Sequence, residues 1–299
     1  MISRKYSNDG VAHVELNDVQ RRALAIFRDD LEKGFFQFEE YDCECGCRSS
    51  RLIELAQKDR YGIPVSTKIC PDCGLVMTDP RMTQDSYDLF YDSVYRSIYV
   101  GTEKPGDSFF EEEEEIGKEI WNFVAASIDM SEIQTVLEIG CGAGGILSVF
   151  KERGKNVKGI DIGGEYIEFG KSKGVNIEKE HSTQHAKKNT QYDLIILNHV
   201  LEHFLDLETE LNAVRKLLKD DGVLYVAVPG LFNLGVYNYD FLRYLQNAHV
   251  RHFCSGTLEM VMNKYGFRML RCNESVKAIF KYVGDEDADY IHKNNFMPQ

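Results

Sequence analysis

Val136-Leu137-Glu138-Ile139-Gly140-Cys141-Gly142-Ala143-Gly144-Gly145-Ile146-Leu147 is the stretch on which the reading of the fold turns. Residues 136–139 form a short apolar run of the kind that makes a buried parallel strand. Gly140, Gly142, Gly144 and Gly145 follow at once, and residues 146–150 then have the apolar character of a helix start. A strand that ends in glycines and turns into a helix brings bare backbone close to a ligand, because no Cβ intervenes. Gly140, Gly142 and Gly145 also satisfy G-x-G-x-x-G, the dinucleotide-binding pattern. The loop alone therefore indicates a nucleotide-like cofactor and leaves its identity open.

From residue 136 onward, strand and helix signals alternate. Strands are predicted over 136–139, 157–162, 175–179, 192–197 and 223–228, with helices over 144–153, 165–173 and 206–219. This is the rhythm of a doubly wound α/β sheet. A helix over 255–265 is followed by strands over 267–272 and 278–283. The two strands are too close in sequence for a parallel crossover, so they must pair antiparallel.

Upstream, residues 19–38 suggest an amphipathic helix, and 41–80 carry a cysteine cluster. Of the 8 cysteines, Cys43, Cys45, Cys47, Cys70 and Cys73 crowd together, which in a reducing compartment favours metal over disulfides. Cys70-Pro71-Asp72-Cys73-Gly74 is a C-x-x-C-G knuckle whose glycine allows backbone amides to face thiolate sulfurs. Zinc takes four such ligands in tetrahedral array. Cys43 and Cys45, with Gly46 after the second cysteine, form the preferred partner pair, and Cys43 with Cys47 is the alternative. The expected product is a small zinc ribbon with a structural site at Cys43, Cys45, Cys70 and Cys73. Tyr87, Phe90, Tyr91, Tyr95 and Tyr99 form a helical aromatic stripe, read either as core or as one wall of a substrate pocket. The acid run Glu111 to Glu115 reads as the solvated first turns of a helix, without a metal or catalytic role.

The chain has 299 residues, a formal charge of −13 and 28% charged residues. That field opposes binding to nucleic acid or anionic lipid and favours a small-molecule substrate. No apolar run approaches the roughly 18–20 residues needed to span a bilayer. Met1-Ile2-Ser3-Arg4-Lys5 lacks the apolar core of a secretory signal, so a cytoplasmic protein is expected. The oligomeric state is left open.

Two acids and the closing strand pair narrow the choice of cofactor. Glu138 lies inside the strand that precedes the glycines, where it would repel a pyrophosphate but suit a ligand with positive charge. Asp161 ends the second strand, 21 residues after Gly140, where an acid can accept ribose hydroxyls from either cofactor. Together with the antiparallel strands, these features leave a nicotinamide-dependent oxidoreductase remote.

The run 136–144, Gly159-Ile160-Asp161, Tyr192-Asp193-Leu194-Ile195-Ile196-Leu197-Asn198-His199-Val200-Leu201-Glu202-His203 and Leu217-Leu218-Lys219-Asp220-Asp221-Gly222-Val223-Leu224 complete a set. The set resembles the class I S-adenosylmethionine-dependent methyltransferases, over residues 131–284. The resemblance implies a doubly wound seven-stranded α/β sheet with an antiparallel C-terminal pair and a cofactor across the carboxyl ends of its strands. It implies Gly140, Gly142 and Gly144 at the methionine and ribose portion, Asp161 at the ribose, and Asn198 with His199 at the methyl donor. Glu138, Cys141 and Ile162 complete the implied cofactor set. The family's usual adenine contact after the third strand is not recognisable in residues 180–190.

The cysteine segment carries a second resemblance, through Lys58-Asp59-Arg60-Tyr61-Gly62, Ile69-Cys70-Pro71-Asp72-Cys73-Gly74-Leu75-Val76 and Thr78-Asp79-Pro80-Arg81. It resembles the zinc-ribbon extension of a subgroup associated with surface-polysaccharide and sugar-modifying pathways. Sugar C-methyltransferases with a similar zinc region carry a further long C-terminal domain, so O-methylation of a sugar or nucleotide sugar is the expectation.

Removal of a hydroxyl proton needs a base, and histidine suits neutral pH. Of His199, His203, His249 and His252, His203 and His249 lead. Arg251 is read as an anion-binding residue or as a surface ion pair. The expected segments are a helical 1–40, a zinc ribbon at 41–82, a helical linker or cap at 83–130 and the methyltransferase domain at 131–299. The alternative function is a non-catalytic cofactor sensor that recruits a partner through the ribbon.

Overall fold

Leu194, Ile195, Ile196 and Leu197 are all fully buried, and a strand apolar on both faces belongs inside a sheet covered on both sides. The computed structural model, which describes residues 3–101 and 105–284, places that run in a seven-stranded sheet. Residues 1–2, 102–104 and 285–299 of the expected segments lie outside the described residues. The strands of this sheet are β1 (Thr135–Ile139), β2 (Asn156–Asp161), β3 (Ile177–Lys179), β4 (Tyr192–Asn198), β5 (Leu218–Ala227), β6 (Phe267–Cys272) and β7 (Lys277–Tyr282). Their order is β6-β7-β5-β4-β1-β2-β3. β7 pairs antiparallel with both β5 and β6, and the remaining neighbours are parallel. The α/β sheet with its antiparallel C-terminal pair is thus the architecture expected from the sequence.

Boundaries shift where local chemistry outweighs the apolar pattern. β5 starts at Leu218 rather than Val223, with a register shift between them, so Asp220-Asp221-Gly222 lies within the strand as an irregularity. The helix before it, Leu207–Leu217, is capped by Asp206, which accepts the Thr209 N–H at 3.0 Å. Its Glu208 and Glu210 lie in the first turn and Arg215 and Lys216 in the last, as the helix dipole favours.

The chain divides into two compact units, Met1–Glu103 with Pro229–Thr257, and Lys104–Val228 with Leu258–Gln299. The seven-stranded sheet belongs to the second. There the helix α1 (Asp107–Ala125) packs on the helix α2 (Gly145–Glu152) that leaves the glycine loop. Two glycines set the closeness of that contact. A Cβ on Gly117 would lie 2.9 Å from the Ile146 carbonyl oxygen, and one on Gly145 would lie 2.5 Å from that of Phe110.

In the first unit, the strands Ile53–Lys58, Pro64–Ile69 and Val76–Thr78 form an antiparallel sheet. Arg251–His252 adds a fourth strand, pairing with Met77 and Val76. Asp59 ties the later segment to the same body, accepting the N–H groups of Tyr61, Ile63 and Asn247 at 2.9, 2.9 and 3.1 Å. The amphipathic helix expected over 19–38 is Asp18–Glu32, opened by a capping box of Asn17 and Gln20. Among the described residues, no helix is long and apolar enough to cross a membrane.

Candidate functional site

The cysteine knuckles bring four sulfurs together. Cys43 Sγ lies 3.5 Å from Cys73 Sγ, and Cys45 Sγ 3.6 Å from Cys70 Sγ. All four sulfurs fall within 4.8 Å of one another. Zn–S bonds of about 2.3 Å in a tetrahedron put sulfurs about 3.8 Å apart, so the donor set fits zinc. Each knuckle turns on a glycine with positive φ, Gly46 at 88° and Gly74 at 78°. Burial raises the Cys70 thiol, but the backbone amides of Cys73 and Asp72 together with hydrogen bonds from the Cys45 and Cys73 side chains bring the group down to about 7. Cys47 is buried beside the cluster, with its Sγ 3.8 Å from the Arg48 carbonyl oxygen.

In the second unit, β1 runs into the glycine loop. Gly140 and Cys141 both aim their N–H at the Ile160 carbonyl, at 2.8 and 3.2 Å, which joins the loop to β2. Gly142 has φ of 55°, a conformation that costs a residue with a Cβ. Its N–H donates to Asp161 Oδ2 at 2.8 Å, and Asp161 Oδ1 accepts the Gly163 N–H at 2.6 Å. Asp161, at the carboxyl end of β2, is thereby fixed beside the loop, with Ile162 half-buried after it.

Glu138 pairs with Gly159 of β2 and Ile196 of β4 and is 2% exposed. Its Oε2 makes no hydrogen bond among the described residues. Burial first, then the like charges of Glu113 and Asp161, push its carboxyl well above the usual carboxylate range. Cys141 is buried in the same field, and its thiol is pushed well up by burial and by Glu138. A buried acid without a donor, beside backbone stripped of Cβ atoms, fits a ligand that brings its own N–H or O–H groups and positive charge.

Glu113 is the residue that the sequence reading missed. It stands on α1, and its Oε2 accepts the Gly145 N–H at 3.0 Å, at the start of α2. Its Oε1 lies 3.1 Å from where a Cβ on Gly142 would be. Neighbouring Glu114 accepts from Ser148 Oγ at 2.7 Å. The acid run is therefore not wholly solvated. The spacing Phe110, Glu113, Gly117, Ile120, Val124 held the signal, because it puts Glu113 on the buried stripe of α1.

At the end of β4, Asn198 precedes His199, which takes φ of 56° and donates its N–H to the Ala227 carbonyl at 2.8 Å. Buried Glu202 follows in the turn Leu201–His203. Its Oε1 lies 3.5 Å from His199 Nδ1 and 3.8 Å from His203 Nε2. The His199 ring is half-exposed, whereas the His203 ring is mostly covered.

His249 belongs to the first unit, where it is buried and its carbonyl accepts from Thr78 Oγ1 at 2.8 Å. His252, 5.8 Å away between ring centroids, has no partner on either ring nitrogen among the described residues. Burial drops it to about 3, so it is neutral at physiological pH.

Arg251 is neither an anion receptor nor a surface ion pair. It is buried, and its Nε and Nη2 donate to Glu44 Oε1 at 3.1 and 2.5 Å. The two-residue strand that pairs with Met77 and Val76 carries the guanidinium to Glu44, inside the cysteine segment. Of the aromatic stripe, Tyr87 and Phe90 are core, while Tyr91, Tyr95 and Tyr99 are half-buried with successive centroids 4.3 and 5.0 Å apart.

Comparison with known proteins adds a family match and several relatives. A family model described as "Methyltransferase domain" matches residues 106–271. The ubiquinone biosynthesis O-methyltransferase of Salmonella paratyphi A is 31% identical over 100 residues, which is 30% of this chain and 40% of that protein. The Bartonella tribocorum protein of the same name is 25% identical over 178 residues, covering 52% of this chain and 70% of that one. The match to the Salmonella protein thus spans well under half of that relative's length. Among solved structures, the Burkholderia thailandensis 1,6-didemethyltoxoflavin-N1-methyltransferase, with 1,6-didemethyltoxoflavin and S-adenosylhomocysteine bound, aligns with a TM-score of 0.52. It shares 15% identity over 72% of this chain and 98% of that chain, a likeness of fold.

Proposed function

The chain belongs to the methyltransferase-domain family, and from that premise we propose that it transfers a methyl group from S-adenosylmethionine to a hydroxyl of a small molecule, a sugar or nucleotide sugar. The observation that carries the cofactor reading is Glu138, a buried carboxyl with an unpartnered Oε2 beneath the glycine loop. S-adenosylmethionine brings an ammonium group and ribose hydroxyls that can donate to that oxygen. The residues that would hold it are Glu138, Gly140, Cys141, Gly142, Gly144, Asp161, Ile162, Asn198 and His199. When bound, the cofactor supplies an electrophilic methyl group on sulfur.

The chain's own work is alignment and proton removal. Methyl transfer is an in-line displacement, so holding the acceptor oxygen in line supplies much of the acceleration. His203 is the proposed base on the second unit. Glu202, with Oε1 3.8 Å from its Nε2, would stabilise the imidazolium that forms. His249 is the second candidate base, on the first unit. The cysteine set Cys43, Cys45, Cys70 and Cys73 is proposed to hold one structural zinc, since four thiolates leave no open position for substrate. The resemblance of the cysteine segment supports a sugar acceptor, and O-methylation accords with the names of the ubiquinone-pathway relatives.

Incubation of the zinc-loaded protein with S-adenosylmethionine and a panel of nucleotide sugars, reading S-adenosylhomocysteine release, tests the proposal. Release that depends on one sugar class and gives an O-methylated product supports it. Cofactor binding without turnover on any panel member, together with capture of a macromolecular partner by the ribbon, favours the non-catalytic sensor instead.

A further inference from the structure

Within the first unit, one buried ion pair joins the first cysteine turn to the strand that carries His252. Glu44 is the second residue of a tight turn, Cys43 to Gly46, closed by the Gly46 N–H on the Cys43 carbonyl at 2.8 Å. Its neighbours on either side, Cys43 and Cys45, both belong to the four-sulfur set. Its Oε1 accepts from Arg251 Nε and Nη2 at 3.1 and 2.5 Å, and the two side chains are only 9% and 2% exposed. Arg251 opens the strand Arg251–His252, two residues after His249.

Neutral contacts hold the same stretch of chain. The Val250 carbonyl accepts the Thr78 N–H at 2.9 Å and the Tyr41 hydroxyl at 3.0 Å, and the His249 carbonyl accepts from Thr78 Oγ1. Tyr41 stands two residues before Cys43, and the Arg251 guanidinium lies 5.5 Å from its ring centroid. Removing either partner of a buried ion pair leaves an uncompensated buried charge, so the pair transmits order between its two elements. Four sulfurs within 4.8 Å keep their places as thiolates only against a cation, and metal binding there adds to the folding free energy of the turn. Whatever orders the turn therefore orders Glu44, and Arg251 with it. Such coupling is reciprocal: the strand must favour the metal as much as the metal favours the strand.

We propose that Glu44 is a positioning residue: zinc ligation at Cys43 and Cys45 fixes it, and through Arg251 it holds the segment that carries His249 and His252. Metal occupancy then sets the order of the segment proposed to supply a base, and the zinc site acts on the acceptor side without touching substrate. The proposal rests on the zinc reading of the four cysteines. The S-adenosylmethionine reading is tested separately, by S-adenosylhomocysteine binding, and stands or falls independently.

The test uses the full zinc-loaded chain. Zinc is drawn from wild type with a chelator while amide exchange is followed over 250–253 and over 192–198, which is β4 of the second unit. Exchange over 250–253 should quicken by about ten-fold or more, with 192–198 unchanged within about two-fold. The ring-nitrogen resonances of His249 and His252 should shift, and that of His181 in the second unit should stay. Chelator competition then gives the zinc affinity of wild type, Glu44→Gln, Arg251→Gln, the double variant and Arg21→Gln, which loses only an exposed helical ion pair with Asp18. Each single change at the buried pair should weaken zinc by about ten-fold, and the double should lie within about two-fold of the worse single. Arg21→Gln should match wild type. Exchange over 250–253 that ignores zinc, equal acceleration in both segments, or losses that add in the double variant overturn the role of Glu44. Where a buried-pair variant does not fold, the wild-type exchange and resonances decide. A wild type that binds no zinc overturns the metal reading and this proposal with it.

Discussion

Asp161 Oδ2 accepts the Gly142 N–H at 2.8 Å, so a carboxylate at the end of β2 clamps the loop that leaves β1. Its second oxygen is held by the Gly163 N–H at 2.6 Å. Replacing Asp161 with Ala removes the clamp and takes the acceptor from the buried Gly142 N–H and the part-buried Gly163 N–H. The expected cost is about 1–3 kcal/mol of stability, with cofactor affinity weakened by more than about ten-fold. Thermal unfolding and calorimetry measure the two effects; full affinity in the Ala variant would remove Asp161 from the site.

Gly145 has no room for a side chain, because its Cβ would lie 2.5 Å from the Phe110 carbonyl oxygen. Gly145→Ala must push α1 from α2, and a destabilisation of about 1–3 kcal/mol is expected. Gly256 lies in the helix Ser255–Lys264 with open space at its Cβ. Gly256→Ala should be neutral or stabilising by up to about 1 kcal/mol, so equal losses in the two variants would contradict the packing account.

Cys70→Ser is expected to lose bound zinc, whereas Cys47→Ser keeps about one equivalent per chain, since only Cys70 belongs to the four-sulfur set. Elemental analysis of purified variants distinguishes them. Loss of metal from the Cys47 variant as well as from the Cys70 variant would move the ligand set to the alternative pair.

His252 carries a pH signature. Burial depresses its folded value to about 3, against an ordinary value near 6.5. Between those values the unfolded chain binds a proton that the folded chain refuses, so stability rises with pH through this window and falls on acidification. From pH 6.5 to 5 the loss from this one group is about 1.6 kcal/mol, and that part of the window depends little on how far below 5 the folded value lies. Denaturant unfolding of wild type and His252→Phe across pH 5–7 should show wild type losing stability relative to the variant on acidification. A constant difference would show that His252 takes up its proton in the folded state.

The sequence revealed most where one element suffices to state the chemistry. The apolar runs of β1 and β4 announce interior parallel strands, because both their faces are buried. The glycines after Ile139 and the two cysteine knuckles announce backbone geometry directly. What stayed hidden depends on distant partners. Arg251–His252 is too short to read as a strand, and it pairs with Met77 and Val76 far upstream. That pairing takes Arg251 to Glu44, so a residue that looked available for anions is already neutralised. Glu113 was concealed by its company, since a run of five acids reads as a wet helix face until the positions of Phe110, Gly117 and Ile120 are followed around the turn.

Calorimetric titration of the zinc-loaded wild-type protein with S-adenosylmethionine, S-adenosylhomocysteine and NAD(P) tests the central claim most directly. The account predicts one site per chain for both sulfur cofactors and no binding of the dinucleotides. Folded, metal-replete protein that binds neither S-adenosylmethionine nor S-adenosylhomocysteine would contradict it.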